Sequence, residues 1–230
     1  MVQEALARNP DGEALVCDDV RLTYRQMDDL IGAVAAGLAA VGLAKGDRMA
    51  LLLTNGPEFL ITLLAGLRIG AIAVPINVRE QTPELAEILN DCGANVLVHD
   101  ADITEKLPAA KDLPALRHRF SVGGPAVGSL AYEVLSQTDA RVPPVDVHEE
   151  DTAVILYTSG TTGRPKGAML THLNIIHSAM HFELCMDLGA GERSLLAVPA
   201  SHVTGLVATL FTMLRTAGCS VIMRAFKAED

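Results

Sequence analysis

The sequence predicts an α/β fold in which a layered, largely parallel sheet is flanked by helices. Short apolar runs of strand length alternate with longer segments whose apolar residues recur at helical spacing. The links between them are short, the pattern of strands laid side by side with helices crossing over both faces. Half of the 230 residues are hydrophobic, enough to bury a core without disulfides or metals.

Ala14 to Cys17 and Arg21 to Thr23 read as a short hairpin turned by Asp18-Asp19. Thr23 suits a helix cap, and Met27, Leu30, Ile31, Val34, Leu38 and Val41 then fall on one helical face, with Gly42 as the stop. Met49 to Leu53 is a continuous apolar strand, Pro57 opens a helix to Arg68, and Ala71 to Pro75 is a second buried strand. Thr82-Pro83-Glu84 predicts a capped helix start, running to about Cys92, and Val96 to His99 another strand. From Asp102 to Glu150 prolines and glycines predict loops, one strand near Arg119 to Val122, and a subdomain junction near residues 143–151. The acidic run Asp146 to Asp151 reads as a solvated linker. Alternation resumes with strands at Ala153–Tyr157, Ser194–Val198 and Cys219–Met223 and helices near Leu173–Leu188 and Gly205–Ala217, the latter core rather than ligand wall.

A net charge of −10 argues against a nucleic-acid binder, which carries a basic face, but leaves nucleotide binding open. Cys17, Cys92, Cys185 and Cys219 are widely spaced, as expected of buried reduced thiols in a cytoplasmic protein. No secretory signal or uninterrupted membrane span is visible. His177 and His181 can share a helix face, but no further ligands fall at metal-binding spacing, and wall or surface positions are expected.

The chemistry concentrates in the segment beginning at Asp151. A buried strand to Tyr157 runs into Thr158, Ser159, Gly160, Thr161, Thr162 and Gly163, followed by Arg164, Pro165, Lys166 and Gly167, before Thr171 and Asn174 introduce a helix. Glycines let backbone N–H groups approach an anion, hydroxyls add donors and a lysine adds positive charge, which together suit phosphate. The simpler alternative is a Gly/Thr surface turn. It is not a Walker A loop, since Pro165 precedes and Gly167 follows the lysine, and no GxGxxG fingerprint is present.

The run Tyr157 to Gly167, with Thr171, His172 and Asn174, resembles the AMP-binding signature of the adenylate-forming superfamily, of the acyl-CoA synthetase or fatty-acid–CoA ligase type. Leu22-Thr23-Tyr24, Lys45 to Ala50, Gly70 to Asn77 and Val198 to Leu206 resemble further elements of that family in the right order, across nearly the whole chain. The resemblance implies the N-terminal portion of the adenylate-forming ligase fold. It also implies a carboxylic acid, fatty or otherwise apolar, activated by MgATP as an acyl-adenylate and passed to coenzyme A. Thr158, Ser159, Gly160, Thr161, Thr162, Gly163 and Lys166 would hold the phosphates of ATP, and Thr158 would approach Mg2+. His202 matches the position that orients the acyl carboxylate, although Ser201 stands where the family often has a bulky aromatic; at residue level a satisfied histidine at a helix entrance is the alternative.

The family's later magnesium, ribose and hinge elements, and its C-terminal domain with the catalytic lysine, find no match before Asp230. An N-terminal piece, inactive by itself, is expected, with homodimerisation through an uncovered apolar face as a further expectation. The alternatives are a non-catalytic nucleotide-binding or regulatory module and a generic α/β NTPase.

Overall fold

The computed structural model describes residues 1–137, 142, 145–159 and 164–226, with only the backbone of Ser159. Pro143 and Pro144, in the expected junction, lie outside the described residues.

A short helix, α1 (Val2–Arg8), precedes the predicted hairpin of β1 (Glu13–Cys17) and β2 (Val20–Thr23), whose turn places Asp18 at φ 49°. α1 was not predicted, being too short to show a period. Thr23 and Gln26 exchange bonds as a capping box that starts α2 (Tyr24–Ala40), and Gly42 ends it at φ +83°. β3 (Arg48–Leu52), α3 (Pro57–Arg68), β4 (Ile72–Pro75), α4 (Thr82–Asp91) and β5 (Val96–Asp100) follow as expected. Thr82 is not the cap of α4: Gln81 holds that position and makes no side-chain capping bond, so Thr82 is the first helical residue.

Short 3₁₀ turns fill the predicted loop region around β6 (His118–Val122) and β7 (Leu130–Ala131). β8 (Thr152–Ser159) is followed by an unpredicted strand, β9 (Pro165–Thr171), before α5 (His172–Cys185). β10 (Arg193–Leu196) leads to a π-helical segment, Thr204–Phe211, then α6 (Thr212–Thr216) and β11 (Cys219–Ile222). The expected single helix from Gly205 is therefore π-helical over most of its length. The Thr212 hydroxyl donates to the Val207 carbonyl at 2.9 Å, taking up one of the backbone acceptors in this wide turn.

The strands form two sheets. One has the order β7-β6-β5-β3-β4-β8-β9 and is parallel except for the β8–β9 pair. The other, β10-β11-β1-β2, is parallel except for the opening hairpin. The continuous apolar run of β3 is explained by burial on both faces. Met49 and Leu51 join the large core with α2 and α3, while Ala50 and Leu52 join a second core under α4 with Leu85, Ile88 and Leu89. Tyr24, wholly buried, ties α2 to the second sheet by donating to the carbonyl of Gly218 at 2.6 Å.

The acidic run is not simply solvated. Asp151 pairs with Lys45 at 2.8 Å and accepts from the His148 backbone N–H at 2.9 Å, while Asp146, Glu149 and Glu150 stay exposed. Cys17, Cys92 and Cys219 are buried as expected, but Cys185, in the last turn of α5, is exposed. No helix among the described residues is long and apolar enough to cross a membrane.

Candidate functional site

β8 and β9 form an antiparallel hairpin with Tyr157 opposite Gly167, Thr158 opposite Lys166 and Ser159 opposite Pro165. Lys166 and Pro165 therefore belong to a strand, where the sequence reading carried the loop through to the next helix. A Gly-Gly-Thr composition hides a strand that resumes after the turn, because propensity is weak where cross-strand pairing decides. The consequence is physical: α5 begins seven residues beyond the loop, roughly 20 Å away along an extended strand. Its dipole cannot serve the loop as it would in a strand–loop–helix phosphate site.

Gly160, Thr161, Thr162 and Gly163, and the side chain of Ser159, lie outside the described residues. Thr158 and Lys166 at the two roots of the loop are both exposed. Gly167 permits the close approach of the two strands, since a Cβ there would sit 2.7 Å from Ile155 Cγ2 and 3.1 Å from the Tyr157 ring. Thr171 and Asn174 form the capping box of α5, which accounts for their place in the motif as helix initiators.

Two acids one turn apart on α4 face the hairpin, and sequence reasoning missed both. The Tyr157 hydroxyl donates to Asp91, and Arg164 Nε lies 3.9 Å from Glu87. Their i, i+4 spacing was the available signal, but their partners are 66 and 77 positions away. Burial first, and then the bond to Asp91, raises the Tyr157 phenol well above its usual value, so it remains a neutral donor.

His202 lies in the turn between β10 and the π-helical segment, exposed. Its N–H donates to Pro199 O at 3.1 Å, and its carbonyl accepts from Leu206 at 2.9 Å. The Thr204 N–H donates to His202 Nδ1 at 3.4 Å, a long bond in which Nδ1 is the acceptor. Gly205 lets the helical segment come down on the turn, since a Cβ there would meet Pro199 O at 2.5 Å.

The structure brings Thr158 and His202 together. Both line a cleft of about 310 Å³ with Pro75, Ile76, Asn77, Glu80, Ile88, Tyr157 and Ser201. A neighbouring cavity of about 410 Å³ shares Asn77, Pro199 and Ser201 with it and extends past Asn55 to Arg224. Both open at the carboxyl ends of parallel strands of the two sheets, where α/β proteins characteristically bind ligands. His177 and His181 are exposed on α5, and neither lines this cleft. Among the described residues no cluster of three His, Cys, Asp or Glu could hold a metal ion. The Thr158 hydroxyl is a hard oxygen donor and so suits Mg2+, which is usually held mainly by substrate phosphates.

The family described as "AMP-binding enzyme" matches residues 2–230. A long-chain-fatty-acid–CoA ligase of Mycobacterium tuberculosis is 36% identical over 201 residues, which cover 86% of this chain and 39% of that protein. The crystal structure of an anthranilate CoA ligase in complex with anthranoyl-AMP matches with a TM-score of 0.92 at 26% identity, over 98% of this chain and 44% of that one. The o-succinylbenzoate coenzyme A synthetase of Bacillus subtilis, in complex with ATP and magnesium, matches with a TM-score of 0.84 at 26% identity, over 100% of this chain and 58% of that one. The chain spans between 39% and 46% of the length of the curated relatives it matches.

Proposed function

The chain belongs to the AMP-binding enzyme family, and on that premise we propose that it supplies the phosphate-loop half of an AMP-forming acid–thiol ligase. The carboxylate of an acid attacks the α-phosphorus of ATP, pyrophosphate leaves, and the acyl-adenylate forms; the thiol of coenzyme A then attacks the acyl carbonyl and AMP departs. One observation carries the reading: Thr158, at the root of the phosphate loop, and His202 line the same cleft although 44 positions apart.

In this reading Lys166, Thr158 and the loop residues Ser159, Gly160, Thr161, Thr162 and Gly163 hold the β- and γ-phosphates. The work is positioning and electrostatic stabilisation rather than covalent chemistry. The Thr158 hydroxyl would be this chain's ligand to Mg2+, an ion that would supply charge neutralisation of the phosphates. His202 donates from Nε2 to a carboxylate oxygen and orients the acid without acting as nucleophile. The walls formed by Pro75, Ile76 and Ile88 favour an apolar acid, a fatty acid first among them. The unpaired thiols fit a reducing, cytoplasmic setting.

The test is acid-dependent ATP–pyrophosphate exchange by the complete gene product with short, medium and long aliphatic acids and aromatic ones. Exchange confined to one apolar class is expected. Phosphate release without any acid, and no exchange with any of them, would overturn the reading.

A further inference from the structure

We infer that Asn55 is the positioning residue that sets His202 against Thr158; the inference rests on the role proposed for His202. Asn55 follows β3, in the seven-stranded sheet, and its side chain is almost fully buried. Its amide Nδ2 donates to the carbonyl of Val198 at 3.0 Å and to that of Met223 at 3.1 Å. Its Oδ1 accepts from the N–H of Ala200 at 2.8 Å. Val198 and Ala200 lie between β10 and His202, and Met223 directly follows β11, so all three partners lie on segments that leave the carboxyl ends of strands of the other sheet.

One side chain thus joins the carboxyl ends of the two sheets. Thr158 is carried by the sheet that bears Asn55, whereas His202 is carried by the turn that Asn55 grips. The grip falls two residues before His202, and the turn is closed by the bond from the His202 N–H to Pro199. The gap between Thr158 and His202 is therefore set by the Asn55 amide. No other residue type fits without loss. Aspartate would aim a buried carboxylate at two carbonyl oxygens, glutamine is a methylene too long, and alanine leaves two acceptors and a donor unpaired. The amide orientation is fixed by the same argument, since the flipped form would oppose oxygen to oxygen.

The test is a double-mutant cycle in the complete gene product, read by acid-dependent pyrophosphate exchange well below the melting temperature of each variant. Asn55→Ala is expected to lower kcat by about 10- to 100-fold, the scale of a misplaced reacting group. The KM for MgATP is expected to move by less than about twofold, because Thr158 and Lys166 keep their own sheet. In the His202→Ala background the same substitution should add little, since its effect runs through His202. Asn55→Ser, which retains a hydroxyl for the Ala200 N–H, serves if the alanine variant does not fold, with an intermediate loss expected. Losses that multiply independently, or an unchanged kcat in both Asn55 variants, overturn the inference and leave the proposed function intact. An unchanged rate in His202→Ala alone overturns the role given to His202, and with it the inference.

Discussion

Thr158 and Lys166 are register partners across the β8–β9 hairpin, so their side chains emerge from the same face of the sheet at the two roots of the loop. A hydroxyl and an ammonium group are thereby aimed at one place, whatever path the intervening turn takes. Lys166→Ala is expected to weaken MgATP binding by about 1–3 kcal/mol, the range for a charged hydrogen-bonded contact, with little effect on melting temperature because the residue is exposed. Calorimetric titration of MgATP checks this, and unchanged affinity would remove Lys166 from the phosphate site.

Gly205→Ala should destabilise the chain. Its Cβ would fall 2.5 Å from Pro199 O and 3.1 Å from a Leu196 methyl, a backbone clash that a side-chain rotation cannot relieve. A cost of about 1–3 kcal/mol is expected, as for other overpacked sites. Each kcal/mol lowers the melting temperature by roughly 2–4 °C in a domain of this size, so calorimetry decides it.

Tyr24→Phe removes the hydroxyl that satisfies the Gly218 carbonyl at the turn into β11. Leaving that buried acceptor unpaired should cost about 1–3 kcal/mol while the ring keeps its packing. Denaturant unfolding should show a lower midpoint at unchanged slope. A midpoint equal to that of the parent chain would mean that water replaces the phenol.

His99 is wholly buried, with Nδ1 2.8 Å from the Asp100 carbonyl and Nε2 2.8 Å from Ser129 Oγ. Burial pushes its pKa below the usual 6.5, and burial does the same to His172. Between each folded pKa and about 6.5 the unfolded chain binds more protons than the folded one, so stability falls as the pH drops below 6.5. Asp100, raised by burial, works in the opposite sense at lower pH, and the ring itself is therefore the better reporter. The ring resonances of His99 should titrate with a midpoint below 6.5; a midpoint at or above that value contradicts the assignment.

Thiol labelling of the native chain should modify Cys185 rapidly and the others only on unfolding. Cys185 is exposed on α5, whereas Cys17, Cys92 and Cys219 are buried and burial raises each of their pKa values, that of Cys92 to about 11. Mass spectrometry of the brief-exposure product identifies the site. Early modification at Cys92 would show that α4 opens readily.

Elements whose cause is local were legible before the fold was known. Thr23, Gly42 and Pro57 set helix ends through capping, positive φ and a fixed proline ring, and these coincide with the observed boundaries. The run from Met49 was legible as a strand, Thr158 and Lys166 stood out by the composition of their segment, and His202 stood out only through the family resemblance. Local signals could not reveal β9, whose strand state is decided by pairing with β8 across a loop of glycines and hydroxyls. Nor could they reveal the division into two sheets, since hydrogen bonding between β1 and β11 joins segments some two hundred positions apart. The holding groups were hidden for the same reason. Asn55, Asp91 and Glu87 are ordinary residues in the sequence, and their partners are set only when distant strands come together. The partners of these side chains depend on where the chain returns, and a hydrogen bond to a distant segment leaves no period or composition to read.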